Sequence, residues 1–156
     1  MFRKMRRFKQ ALDGARCADV LKNGVRGILA VNGDDGYPYT IPLNYVYDGD
    51  KIYFHSAVEG HKADAIRRDG RASFCVLEQL ELSEDGWSYF FDSVVAFGKV
   101  RVVEDEAERI GKLRLLGQKY FPDVQMVESD ISKNAHRALV LCLEIEHLSG
   151  KHVHER

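Results

Sequence analysis

The stretch from Tyr37 to Tyr47 alternates so regularly that it commits the chain to a β architecture. Successive side chains of a strand point to opposite faces. Tyr39, Ile41, Leu43, Tyr45 and Tyr47 therefore share one face, and Thr40, Pro42, Asn44 and Val46 share the other. Asp48-Gly49-Asp50 turns the chain, and Lys51 to Ser56 runs back beside it as the second arm of a hairpin.

The remaining segments extend this pattern. Asp13 is placed to cap a short helix that reaches Asn23 and stops at Gly24. Val25 to Val31 reads as a strand, and Asn32-Gly33-Asp34-Asp35-Gly36 as a turn. His61 to Arg68 is helical, Arg71 to Leu77 is a strand, and Ser83-Glu84-Asp85-Gly86 is a loop. Trp87 to Val103 is rich in aromatic and β-branched residues and makes one or two strands. Asp105 to Tyr120 is an amphipathic helix ended by Pro122. Leu139 to Ile145 is the last strand, before a polar tail. Short strands joined by tight turns, without early crossover helices, predict a mainly β fold: an antiparallel barrel with peripheral helices, closed so that few edges are exposed.

Composition narrows the function classes. A chain of 156 residues suits a single domain over 1–156, with 1–12 as a basic N-terminal arm and 152–156 as a polar tail. A net charge of −1 gives no broad electrostatic footprint for nucleic acid. The exception is local: Arg3, Lys4, Arg6, Arg7 and Lys9 form either a solvated arm or a clamp for the phosphates of a dinucleotide reductant. Cys17, Cys75 and Cys142 are scattered and read as reduced thiols. No apolar run has membrane-spanning length and no secretory leader is visible, so the expected location is the cytoplasm, with neither membrane nor nucleic-acid partners.

Three segments carry chemistry. In Phe54-His55-Ser56-Ala57-Val58-Glu59-Gly60-His61-Lys62 a strand ends and a helix begins. Helix N-termini favour negative charge, yet His61 and Lys62 stand there. A bound phosphate would turn that cost into a gain, with Ser56 as a further donor; ordinary exposed side chains are the other reading, and the one these features alone favour. Pro42 cannot donate to a ladder. It marks either a protective edge or a gap in pairing, where free backbone groups and Asn44 can meet a planar heterocycle. In Trp87-Ser88-Tyr89-Phe90-Phe91-Asp92-Ser93 most aromatics read as core or interface, with Trp87 the exception. His152 and His154 lack the partners for a metal site, and none is assigned. Phosphate-loop, Rossmann and nucleophile-elbow motifs are missing.

Taken in order, Tyr39-Thr40-Ile41-Pro42-Leu43-Asn44-Tyr45, Ile52-Tyr53-Phe54-His55-Ser56-Ala57, Gly60-His61-Lys62, Trp87-Ser88, Ser93 to Val100 and Ile145 to Lys151 resemble the pyridoxamine-phosphate-oxidase-like superfamily of FMN-binding split barrels, in particular its nitroimidazole-resistance branch. The resemblance implies a six-stranded antiparallel split barrel of Greek-key type that forms a homodimer with FMN at the subunit interface. It places His61 and Lys62 at the FMN phosphate with His55 and Ser56 nearby, Ile41, Pro42, Leu43 and Asn44 against the flavin ring, and Trp87 and Ser93 close to the flavin from the other subunit. The Gly150-Lys151-His152-Val153-His154 tail departs from the arginine-and-histidine pattern of true pyridoxamine phosphate oxidases, which argues against vitamin B6 oxidation. The activity implied is an FMN-dependent oxidoreductase that takes electrons from NAD(P)H and passes them to a small acceptor such as a nitroaromatic. His55 is the candidate acid or base. The alternatives are a non-catalytic flavin- or haem-binding sensor or carrier, and a deazaflavin-dependent reductase of the same fold.

Overall fold

The computed structural model describes residues 1–78 and 81–154. Its strands are β1 (Gly27–Asn32), β2 (Pro38–Leu43), β3 (Val46–Asp48), β4 (Lys51–Ala57), β5 (Arg71–Leu77), β6 (Glu81–Leu82), β7 (Tyr89–Val102) and β8 (Ala138–His154). Its helices are α1 (Gly14–Asn23), α2 (His61–Arg68), α3 (Glu106–Tyr120) and α4 (Val124–Asn134). The strands form one sheet in the order β2-β1-β5-β7-β8-β4-β3, with the two-residue β6 on β7, and every pairing is antiparallel. The expected six strands thus become eight, through the short β3 and β6. β5 returns beside β1, and β8 beside β4, giving the non-sequential pairing of a Greek-key barrel.

The sheet path begins and ends on strands that are neighbours in sequence. β2 and β3 lie at its two ends and do not pair, so the barrel is split between them. The expected continuous strand from Tyr37 to Tyr47 breaks at Asn44-Tyr45, where the chain crosses that split. The inward face survives the break: Tyr39, Ile41, Leu43 and Tyr47 pack against the core, and Tyr45 is fully buried within it. The Tyr45 hydroxyl donates to the Leu21 carbonyl at 2.7 Å. Its backbone N–H, which has no strand partner, donates to the Tyr120 hydroxyl at 2.9 Å. That hydroxyl in turn lies 2.7 Å from the Val25 carbonyl. Beside it, the Lys119 ammonium donates to the Gly24 carbonyl at 2.7 Å and sits 4.0 Å above the Tyr45 ring; burial pushes its pKa down to about 8.

Phe54 and Phe74 stack in the barrel interior with Leu29, Ile52, Val76 and Leu143 around them. α1 buries Cys17, Val20 and Leu21 at one mouth, and α2 buries Ala65 and Ile66 at the other. Asp13 caps α1 as expected, accepting from the Arg16 N–H at 2.8 Å. Of the thiols, Cys17 and Cys142 are buried and Cys75 is half-buried; all are free.

Both termini depart from the sequence reading. β8 runs to His154 instead of stopping at Ile145, so the polar tail is strand through that residue. The cause is a bulge between Phe97 and Gly98 of β7: Phe97 faces His147, Gly98 faces Ile145, and Glu146 is the extra residue. A one-residue slip exchanges the two faces of a strand. Ile145 and Leu148 both pack on the core, a spacing of three that breaks the alternation. Gly98 is required at the bulge, because a Cβ there would lie 1.9 Å from the Glu144 carbonyl oxygen. The basic arm is tethered: Leu12 N–H donates to Gly150 O at 3.0 Å, and Phe2 stacks on His147 at 4.7 Å. Finally, α4 is a helix the sequence reading does not anticipate. Asp123 caps it, accepting from the Met126 N–H at 3.0 Å, and Val127 is its buried residue.

Replacing Tyr120 by Phe removes the hydroxyl that serves these backbone groups across the split. The expected destabilisation is about 1–3 kcal/mol, the cost of leaving a buried polar group unpaired. It is read as a lowered urea midpoint with an unchanged slope.

Candidate functional site

β3 covers only Lys51 to Tyr53 of β4, so the edge of β4 from Phe54 to Ala57 has a strand partner on the β8 side alone. β2 likewise pairs only with β1. The split therefore presents two edges of backbone N–H and C=O groups outside the ladder. Pro42 lies on the β2 edge strand, opposite Ile28, as an edge proline should. Ile41 and Leu43 turn their side chains inward, so toward the split these residues contribute main chain.

α2 closes one end of this region. Gly60 precedes it at φ 125°, a conformation that disfavours any other residue. No side chain caps the helix. The first intrahelical bond runs from the Asp64 N–H to the Gly60 carbonyl, which leaves the amides of His61, Lys62 and Ala63 without intrahelical acceptors. Lys62 is half-buried, and burial lowers its pKa. It makes no ion pair among the described residues. A partly desolvated ammonium without a carboxylate, beside three free helix amides, is a site an anion would complete. His61 is committed differently. Its Nε2 lies 3.3 Å from Asp34 Oδ2, and its ring stacks on Tyr39 at 4.1 Å. The ring thus spans from α2 to the β1–β2 hairpin beside the helix N-terminus.

Ser56 is buried on the inward face of β4, and His55 is on the outward face. His55 and Asn44 line a common cavity of about 420 Å³ between β4 and the α3–α4 pair. Asn44 Oδ1 accepts from Arg26 Nε at 3.1 Å, which orients its amide. His55 opens to solvent, yet desolvation by the surrounding protein pushes its pKa below the ordinary value. The Lys62 ammonium pushes it the same way, and Asp130 opposes both. His55 is therefore neutral at pH 7.

Thus the split brings Ile41, Pro42, Leu43, Asn44, His55, Ser56, His61 and Lys62 to one region. Trp87 and Ser93 are elsewhere in the chain. Val102 pairs with Leu141 next to Phe54, whereas Phe90 pairs with His154 at the far end of the β7–β8 ribbon. Phe90 and Val102 are thus on the order of 40 Å apart along the strand at roughly 3.3 Å per residue. Trp87 is 85% exposed and lies just beyond that end. Ser93 is half-buried where β7 still pairs with β5, opposite Leu77, its hydroxyl 3.4 Å from the Lys151 carbonyl.

Sequence reasoning missed two further groups. Asp130 lines the cavity from α4; the Asp123 cap followed by Val127 and Ile131, four residues apart, is the signal that would have placed it. On the far ribbon, buried Asp92 accepts from Arg16 Nε at 2.7 Å and lies 2.7 Å from His152 Nδ1. Burial pushes the Asp92 carboxyl up, but the hydrogen bonds from His152 and Arg16 outweigh it and hold the pKa below the ordinary value. No period-two reading could pair residues 60 positions apart. Among the described residues no His, Cys, Asp and Glu side chains group to hold a metal ion, and no helix is long and apolar enough to cross a membrane.

The family model for pyridoxamine 5'-phosphate oxidase matches residues 13–152. No curated protein matches the sequence. Solved structures share the fold. A candidate 5-nitroimidazole antibiotic resistance protein from Bacteroides thetaiotaomicron superposes with a TM-score of 0.78 at 22% identity, over 92% of this chain and 87% of its own. An FAD and haem binding protein from Mycobacterium smegmatis gives 0.74 at 22% identity, over 92% and 73%. An FAD-binding protein from Mesorhizobium loti gives 0.64 at 23% identity, over 92% and 96%.

The His55 ring should titrate below pH 6.5 in an NMR pH series and move upward in Lys62→Ala, since the ammonium contributes to its depression. Because the folded-state value is the lower one, protonation favours the unfolded chain. Stability should therefore fall as pH drops through the unfolded value near 6.5 and continue to fall until the folded ring is also protonated.

Proposed function

This chain belongs to the pyridoxamine 5'-phosphate oxidase family, and we propose that within it the chain acts as an FMN-dependent oxidoreductase, reducing a small acceptor such as a nitroaromatic with electrons from a nicotinamide cofactor. The observation that carries this reading is the half-buried Lys62 ammonium, without a counter-ion among the described residues, at the uncapped N-terminus of α2. Lys62 and the free amides of α2 hold the phosphate, and His61 walls it. The β2 main chain at Ile41, Pro42 and Leu43, with the oriented Asn44 amide, offers hydrogen-bonding groups to the ring. When bound, the flavin supplies the hydride and electron chemistry, while the protein positions it and sets its surroundings. His55, neutral at pH 7 and directed toward the cavity, is placed to take or give a proton beside the ring.

The distance between the two groups of site residues supports a dimer. Trp87 lies beyond the end of its own ribbon, and Ser93 is separated from β2 by β5 and β1. A second copy related by a two-fold axis carries the same ribbon to the split. Leu77, Leu82, Trp87 and Tyr89 are exposed at that end and offer apolar surface for the contact. Sedimentation at micromolar concentration should give about twice the 17.8 kDa chain mass. A monomer holding one FMN per chain would defeat the shared site.

A carrier or sensor that binds flavin or haem is the second reading, and the likeness to an FAD and haem binding protein favours it over other non-enzymatic roles. The visible spectrum of the protein separates the cofactors, two flavin bands against a Soret band, and oxidation of NAD(P)H with an acceptor separates enzyme from carrier. For the phosphate site, Lys62→Ala should weaken FMN about ten- to hundredfold, the equivalent of a charge-assisted contact of roughly 1.5–3 kcal/mol. Riboflavin, which has no phosphate, should bind wild type and variant alike. If neither affinity changes, the phosphate lies elsewhere.

A further inference from the structure

The cavity between β4 and the α3–α4 pair has a polarity that selects its occupant. Leu113, Leu116, Val127 and Ile131 form apolar wall, and the exposed Phe121 and Met126 add further apolar surface. Its volume, about 420 Å³, is in the range of small-molecule pockets, and an apolar lining with a few fixed polar groups is their usual form. The polar groups here are not balanced in charge. Asp130 is the one carboxylate among the described lining residues, and neither lysine nor arginine lines the cavity with it. His55 does not supply the missing cation, because it is neutral at pH 7. Lys62 influences His55 but is not part of the lining. Arg26 is taken up by Asn44.

Asp130 is also held in place. Asn134 Nδ2, one turn further along α4, donates to Asp130 Oδ1 at 2.7 Å. This fixes one carboxylate oxygen and leaves Oδ2 to accept a hydrogen bond from a ligand. An anionic ligand would meet an uncompensated like charge beside an apolar surface. A cationic one would meet the charge its nitrogen requires, with its apolar body against α3 and α4.

We infer that this cavity is the acceptor pocket of the flavin enzyme proposed above, and that it takes an apolar molecule bearing one cationic nitrogen, the nitrogen at Asp130 and the body between α3 and α4. The inference rests on the flavin reading for the word acceptor, and on Asp130 and the apolar walls for the ligand class.

Three probes of one shape test it: 2-naphthylmethylammonium, 2-naphthylmethanol and 2-naphthoate, titrated calorimetrically at pH 7 in low salt, with and without saturating FMN. The ammonium should bind about two- to fivefold tighter than the alcohol, as expected for a partly exposed ion pair, and the carboxylate should bind most weakly. Asp130→Asn keeps the shape and should bring the ammonium to the affinity of the alcohol, leaving the alcohol unchanged. Ala135→Leu narrows the cavity and should weaken all three. Equal binding of ammonium and carboxylate, or a preference that survives Asp130→Asn, overturns the ligand class. Displacement of the probes by FMN overturns the acceptor assignment, because the cavity would then be the seat of the cofactor itself. FMN affinity measured in the same series reports separately on the flavin reading. Loss of that binding, with the probe order intact, sinks the enzyme and keeps the pocket's preference.

Discussion

The structure depends on a break that is bridged without being paired. β2 and β3 are consecutive in sequence, yet they end opposite sides of the sheet path and exchange no ladder bonds. A backbone left this way would carry unsatisfied groups into the interior. The Tyr120 hydroxyl prevents that by accepting from the Tyr45 N–H while lying within hydrogen-bond distance of the Val25 carbonyl. Lys119 does the same for the Gly24 carbonyl. Two adjacent residues at the end of α3 thus hold the split open at one end without letting it become a defect. Keeping an amine in so desolvated a place lowers its pKa to about 8.

Holding the split open has a structural consequence. The edges of β2 and of the second half of β4 remain available, and α2, entering from β4 through the left-handed Gly60, directs its uncapped N-terminus toward the same region. A half-buried lysine without a counter-ion is costly in a protein that binds nothing there and advantageous in one that binds a phosphate. Tyr39 and His61, stacked across from each other, tie the β1–β2 hairpin to α2, so the N-terminus of α2 and the β2 edge are held in a fixed relation.

The β7–β8 ribbon has the opposite character. It stays in the barrel as far as Ser93, where β7 still pairs with Leu77 of β5 and Val94 and Ala96 belong to the core, and only beyond Ser93 does it extend past β5. Its far end is stabilised internally, by Asp92 between Arg16 and His152, and Trp87 lies just beyond that end.

Much of this was legible in the residues. Alternation over Tyr37 to Tyr47 specified a half-buried strand and its inward face, because period two follows directly from backbone geometry. Asp13 and Asp105 marked helix starts and Pro122 a helix stop, because caps and prolines act within a few residues. Gly60-His61-Lys62 marked a helix N-terminus, although its residues alone favoured ordinary exposed side chains over a binding site. The tertiary structure decided what depends on distant partners. It broke the strand at Asn44-Tyr45 through a hydroxyl supplied by Tyr120, extended β8 through a bulge that reversed its alternation, and packed α4 over His55 so that Asp130 faced the cavity. Local rules carry information only as far as a turn or a ladder step. Which tyrosine satisfies which amide across 75 residues, and which carboxylate a cavity meets, are settled only when the whole chain closes on itself.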